Sequence, residues 1–428
     1  MKNIYLILIV FGLLMSYAIF KEDTLLISFL FLISQSALGI LWLNKINKGM
    51  FFQDFRVFFI CTYSLYAVFL PLTSLAGLIS IFKDEMSSIT FLYGSGLLGF
   101  NVINMLYPTK WENKIKEIRL PRGTDTILAF LFLLIAYSVY YMHSAGISVF
   151  SLSNMSSRTE LGKAISQSWI VITFIIIVTT NYLIYLYPAL SRMQKMAFLA
   201  LVVTYCFFQI SLGNRREIST ILFFLFAYYL TQKKTNLKLK YIFVLLVLFI
   251  GSFYVTIIRD ENVRSLTSSE AFEVVLVSNE FIYPIQTTGY IIKDDWDFRF
   301  GSTYFFLPVQ VLIPRAIYPG KPATLGAEFV EKTFGSDYMG FAYTPISEAF
   351  LNFGYFGPFL VMFVLGSFFI LILKKRKDGL DFKYFILYCF VFDFCRGDFS
   401  SVFYALFVSY IVGYHTIRYI SRKKFKII

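Results

Sequence analysis

A chain of 428 residues that is 57% hydrophobic, 20% aromatic and only 15% charged, with a mean hydropathy of +0.67, lies far outside the averages of soluble proteins. That composition excludes a soluble globular enzyme, and repeated apolar runs of about 18 to 20 residues identify an integral membrane protein. The formal charge of +13 calls for no nucleic acid, because cytoplasmic loops of membrane proteins are rich in Lys and Arg.

In hydrocarbon every backbone polar group must be satisfied within the protein, so only helices or closed barrels span, and continuous apolar runs select helices over alternating strands. The sequence predicts an all-α, polytopic fold of about 12 transmembrane helices, near 4–20, 24–43, 57–82, 88–107, 126–142, 168–187, 196–212, 219–231, 241–258, 346–373, 382–395 and 401–417. Lys21-Glu22-Asp23, not a small-residue cleavage site, follows the first run, which marks a retained span rather than a signal peptide. The third and tenth runs are long, with Pro71 and Pro358 as places to kink. Cys61, Cys206, Cys389 and Cys395 all lie in apolar runs and read as packing residues. No internal repeat is visible, which disfavours transporters built from duplicated halves.

Basic residues sort the loops into two sets. Lys2 shares a side with Lys45, Lys48 and Arg56, with the cluster Lys110 to Arg122, with Arg192 and Lys195, with Lys233 to Lys240, with Lys374 to Lys383, and with the tail from Arg418. This set holds most of the 39 basic residues, so both termini are expected in the cytoplasm. The polar stretch 259–345 is then a large extracytoplasmic loop, between a bundle of about nine helices (1–258) and about three C-terminal helices (346–428). The cations left on the outer side include Arg158, Arg215, Arg216, Arg259, Arg264, Arg299, Arg315, Lys321 and Arg396. Arginine outnumbers lysine there, and a guanidinium suits bidentate grip on phosphate, so an anionic ligand is expected on that face.

Four outer stretches carry the candidate chemistry. Gly213-Asn214-Arg215-Arg216-Glu217 sits in a very short turn, where paired arginines are costly near hydrocarbon unless a ligand or partner retains them. Pro314-Arg315 to Pro319-Gly320-Lys321-Pro322 holds two cations six residues apart in a proline-stiffened turn, after an apolar piece, Phe305 to Ile313, too short to span. Thr344-Pro345 to Gly357 opens the tenth span with Glu348 in its first turn, where a carboxylate gains from the positive helix end. Asp393 to Asp398 forms the last outer turn; Asp393 and Arg396 are spaced i, i+3 for a structural ion pair, which leaves Asp398 free. Of the two histidines, His143 ends the fifth span outside and His415 lies toward the cytoplasmic end. There is no phosphate-binding glycine loop, dinucleotide fingerprint or HExxH pair, which argues against cytosolic nucleotide chemistry and gives no metal site.

Taken together, Gly213-Asn214-Arg215, the Pro314 to Pro322 run, Thr344 to Gly357 and Arg396-Gly397-Asp398, in this order and all on the outer face, resemble the Wzy-type polymerases of O-antigen and capsule repeat units. The resemblance implies a glycosyltransferase-C-like architecture in the bacterial cytoplasmic (inner) membrane, with the active site on the extracytoplasmic, periplasmic side. It implies polymerisation of undecaprenyl-diphosphate-linked oligosaccharides by glycosyl transfer, undecaprenyl diphosphate leaving, with no cofactor. Candidate pyrophosphate ligands are Arg215, Arg216, Arg315 and Arg396, then Arg158, Arg259 and Lys321; candidate bases are Glu348, Asp398, Glu217 and Glu280. A flippase and a chain-length regulator are candidate partners beside the lipid bilayer. Two alternatives stay open at this point, an O-antigen ligase using the same donor and a lipid-linked oligosaccharide flippase or other transporter.

Overall fold

The computed structural model describes residues 25–47, 54–110, 120–147, 149, 167–212, 214–233, 281–313, 317–335, 342–374 and 382–422. Among them all regular structure is helical. The helices are α1 (Leu25–Asn47), α2 (Phe55–Leu75), α3 (Met86–Leu106), α4 (Thr124–Ser144), α5 (Gln167–Leu186), α6 (Arg192–Ser211) and α7 (Arg215–Lys233). There follow α8 (Tyr283–Lys293), the short α9 (Ser302–Phe305) and α10 (Leu307–Leu312), and α11 (Leu325–Phe334). The chain ends with α12 (Pro345–Phe353), α13 (Gly357–Lys374), α14 (Phe382–Cys389), α15 (Val391–Arg396), α16 (Phe399–Phe407), a π-helical turn Val408–Tyr414, and α17 (His415–Arg422).

Among the described residues, eight segments are long and apolar enough to cross a membrane: α1 to α4, Ser168–Ala189, α6, Pro345–Lys374 and Phe399–Ser421. Of the twelve expected spans, 4–20 and 241–258 lie outside the described residues. The eighth is α7, whose apolar part runs only from Glu217 to Tyr229. The eleventh breaks at Phe390 into α14 and α15. The third, expected to reach 82, ends at Leu75 with Pro71 inside its last turns, because Leu78 to Glu85 turn across the end of the bundle instead. The tenth bends at Gly354 and not at Pro358: Gly354 has φ +62° and ψ −151°, a conformation that glycine alone adopts readily. Pro358 merely occupies the first turn of α13, where a missing N–H costs nothing.

The centre of the bundle is α3, 83% buried over its apolar window and packed against α1, α2 and α13. Small residues let these backbones close up, as membrane helices require when lipid is as apolar as leucine. A Cβ on Gly99 would run into the Phe359 carbonyl, and one on Gly366 would come within 2.5 Å of Ile103. Aromatic rings join α2 to the C-terminal helices: Phe55 meets Phe369 edge-on at 4.8 Å and Tyr388 at 5.2 Å.

Contacts at the helix ends separate the molecule into two ends. At one, Arg56 is fully buried, its guanidinium on Asp54 Oδ2 at 2.6 Å, on Asn104 Oδ1 at 3.0 Å and on the Thr109 carbonyl at 2.6 Å, while Asn47 donates to Asp54 at 2.9 Å. Arg56 is therefore a buried clasp between α1, α2 and α3 and not the solvated charge expected from its place in a basic loop, since Asp54 and two carbonyl oxygens replace its hydration. Lys374 over the Tyr107 ring and Gln194 on Asp125 lie at corresponding helix ends. At the opposite end, Phe82 packs on Tyr290 of α8, and α8, α9, α10 and α12 gather around the turn before α16.

Candidate active site

The segment that organises this end is α12. Thr344 caps it by accepting from Ser347 N at 3.1 Å, and Pro345 supplies a preformed first turn. Every residue from Ile346 to Asn352 is buried, so the helix is covered on all sides and its polar members must find partners inside. Glu348 does so with both carboxylate oxygens. Thr303 Oγ1 donates to Oε1 at 2.6 Å, and the Phe399 N–H, at the start of α16, donates to Oε2 at 2.6 Å. Asn352, one turn on, donates to Thr303 Oγ1 at 2.7 Å and accepts from Gly301 N at 2.9 Å. One carboxylate thus ties α9, α12 and α16 together.

A second polar chain runs on the other flank of the same helix. Tyr93 of α3 bonds Thr344 Oγ1 at 2.9 Å, Thr344 bonds Ser347 Oγ at 2.7 Å, and Ser347 bonds Thr288 of α8 at 2.7 Å. Between these networks stand two phenols, Tyr304 and Tyr343, whose buried hydroxyls have no hydrogen-bond partner among the described residues. Burial first, and then the nearby Glu348 carboxylate, hold both well above the usual tyrosine pKa.

Asp398 is not free, as its place after a glycine suggested. It caps α16, with Oδ2 accepting from Ser401 N at 3.0 Å and from the Ser400 hydroxyl, and Oδ1 accepting from Ser401 Oγ at 2.6 Å. Lys321 is engaged too: its ammonium donates to the Val311 and Ile313 carbonyls at 2.7 and 3.1 Å, closing the C-terminal end of α10. Arg299 pairs with Glu328 of α11, which also takes Lys332 at 3.0 Å.

A cavity of about 230 Å³ opens near the first turns of α5 and α7 and the turn joining α14 to α15. Trp169, Phe174 and Phe390 supply its rings, and Thr173, Asn214, Glu217 and Asp393 its polar wall. Thr173 is 4% exposed and its hydroxyl has no partner among the described residues. Asn214 is held by Gln209, its amide donating to Gln209 Oε1 at 3.0 Å.

Three of the four predicted stretches therefore converge, and the fourth borders them. Asn214 and Glu217 share a cavity with Asp393; Glu348 bonds the residue after Asp398; and α10, held by Lys321, packs on α16. Arg215 and Arg216 begin α7, with their side chains outside the described residues, and Arg396 ends α15 half-buried. Arg158, Arg259, Glu280 and Arg315 lie outside the described residues. His143 is exposed at the end of α4. Sequence reading passed over Thr303 and Thr173 and gave Asn352, inside the Thr344 to Gly357 stretch, no role of its own, because a lone hydroxyl or amide in an apolar helix gains meaning only from what faces it. Among the described residues no group of three or more His, Cys, Asp or Glu could hold a metal ion.

The sequence matches the family described as O-antigen polysaccharide polymerase Wzy over residues 1–426. It is similar to the O-antigen polymerases of Salmonella typhimurium strain LT2 and of Salmonella typhi, each 25% identical over 237 residues, 49% of this chain and 55% of the relative. The chain thus spans about half the length of the curated relatives it matches. No solved structure matches it. With eight apolar spans among its described residues and a match along nearly its whole length, this membrane protein belongs to the O-antigen polysaccharide polymerase Wzy family.

Proposed function

We propose that the protein joins undecaprenyl-diphosphate-linked oligosaccharide repeat units into O-antigen or capsular polysaccharide on the outer face of the bacterial cytoplasmic membrane. The convergence of residues 214–217, 344–357 and 393–398 at the end of the bundle opposite the Arg56 clasp carries this reading. The acceptor hydroxyl oxygen bonds to the anomeric carbon of the donor, the bond from that carbon to the phosphate oxygen breaks, and undecaprenyl diphosphate leaves with the electron pair. Arg215, Arg216, Arg315 and Arg396 stabilise the charge that develops on the diphosphate, with Arg158 and Arg259 as wider contributors.

The hydroxyl proton passes to a carboxylate. Glu217 is preferred among the four candidates because it lines the cavity between α5, α7 and the α14–α15 turn, next in sequence to Arg215 and Arg216. Glu348 acts as a positioning residue that fixes α9, α12 and α16. The oligosaccharide already carries its activation in the diphosphate linkage, so no nucleotide is consumed.

A strain lacking the protein, with its sugar pathway intact, tests this by the gel pattern of its surface polysaccharide. Single repeat units without a ladder are expected. Units trapped on the cytoplasmic side mean a flippase, and full-length polymer left on the lipid means a ligase; either overturns the proposal. Arg215→Glu and Arg396→Glu are expected to reproduce the loss of the ladder with the protein still in the membrane.

A further inference from the structure

We infer that the cavity between α5, α7 and the α14–α15 turn seats one sugar residue of the acceptor, a reading that rests on the polymerase proposal. Its size comes first. About 230 Å³ is room enough for one pyranose ring.

The wall then selects the chemistry. Two carboxylates, Glu217 and Asp393, line it together with Asn214 and the Thr173 hydroxyl, a polar set suited to the hydroxyl groups of a polyol. Carboxylates accept hydroxyl hydrogen bonds about twice as strong as neutral acceptors do. Trp169, Phe174 and Phe390 offer rings to the C–H faces of a sugar, the usual division of a ligand site into apolar walls and a few placed polar groups.

The Thr173 hydroxyl is the independent sign that something polar belongs there. It is 4% exposed, lines the cavity and has no partner among the described residues, although a buried hydroxyl ordinarily has one. Position completes the case. Glu217 follows Arg215 and Arg216 by two and one residues, and Asp393 precedes Arg396 by three, so the cavity lies within one helical turn of the arginines proposed to hold the donor diphosphate. An acceptor ring in the cavity brings its hydroxyl beside both the departing diphosphate and the Glu217 carboxylate.

The test uses the full-length protein in proteoliposomes with lipid-linked repeat units purified from the deletion strain, and measures elongation against repeat-unit concentration. Thr173→Val keeps the volume and removes the hydroxyl. It is expected to raise the KM for single units roughly three- to tenfold with kcat and the thermal unfolding midpoint near wild type. Thr173→Phe fills the cavity and is expected to abolish elongation at normal membrane abundance. Wild-type KM in Thr173→Val overturns the inference and makes the cavity a water-filled void, whether or not Thr173→Phe folds. A wild-type protein that elongates nothing overturns the polymerase reading instead, and the inference with it.

Discussion

Glu348 stands where a catalytic carboxylate was expected, yet it is bonded as a structural residue. Its two oxygens are each taken by a protein donor, Thr303 Oγ1 and the Phe399 N–H. A glutamine of the same shape presents one acceptor and one donor group, so its NH2 must face either the Phe399 backbone N–H or the Thr303 hydroxyl that now donates to the carboxylate. Glu348→Gln is expected to cost about 1–3 kcal/mol of stability, read as a lower unfolding midpoint in detergent, together with a shorter ladder. Full stability with lost polymer would return Glu348 to the role of base. Arg56 teaches the converse. It lies among basic loop residues, yet it is buried in a network with Asp54 and Asn104, so its charge reports packing and not sidedness.

At the scale of the element, the bend between α12 and α13 decides whether Glu348 reaches α16 at all. The turn at Gly354 brings α12 and α13 so close that a Cβ on Gly357 would run into the Ala349 carbonyl. The bend belongs to Gly354, whose φ of +62° with ψ of −151° strains any residue with a side chain. Gly354→Ala is expected to destabilise the protein by about 1–3 kcal/mol and to reduce polymer. Pro358→Ala, lying in the first turn of α13, is expected to cost less, and unfolding midpoints of the two variants compare them directly. A larger loss from Pro358→Ala would move the origin of the bend.

For the molecule as a whole, the decisive expectation is sidedness. Helix ends divide into the group around Arg56, Tyr107 and Asp125 and the opposite group around α8 to α12 and the α15–α16 turn. Asp297 is exposed at the second end and Arg192 at the first. In intact cells a membrane-impermeant thiol reagent is expected to label Asp297→Cys, and to label Arg192→Cys only after the membrane is opened. Labelling of both in intact cells, or the reverse order, refutes an outward-facing site.

Sequence alone determined that this is a helical membrane protein and where polar stretches interrupt its spans, because bilayer physics writes spans as apolar runs and leaves polar residues conspicuous between them. Glu348, Glu217 and Asp398 stood out for that reason, as did the turn beginning at Asn214. What the sequence could not carry was who faces whom. That Asp398 caps α16, that Lys321 closes α10, that the tenth span folds at Gly354, and that Thr173 meets Glu217 and Asp393 across a cavity are long-range facts. They follow from the packing of helices distant in sequence, and no local pattern records it, because in an apolar chain nearly every residue is compatible with burial and only the partner across the interface tells a bonded polar group from an open one.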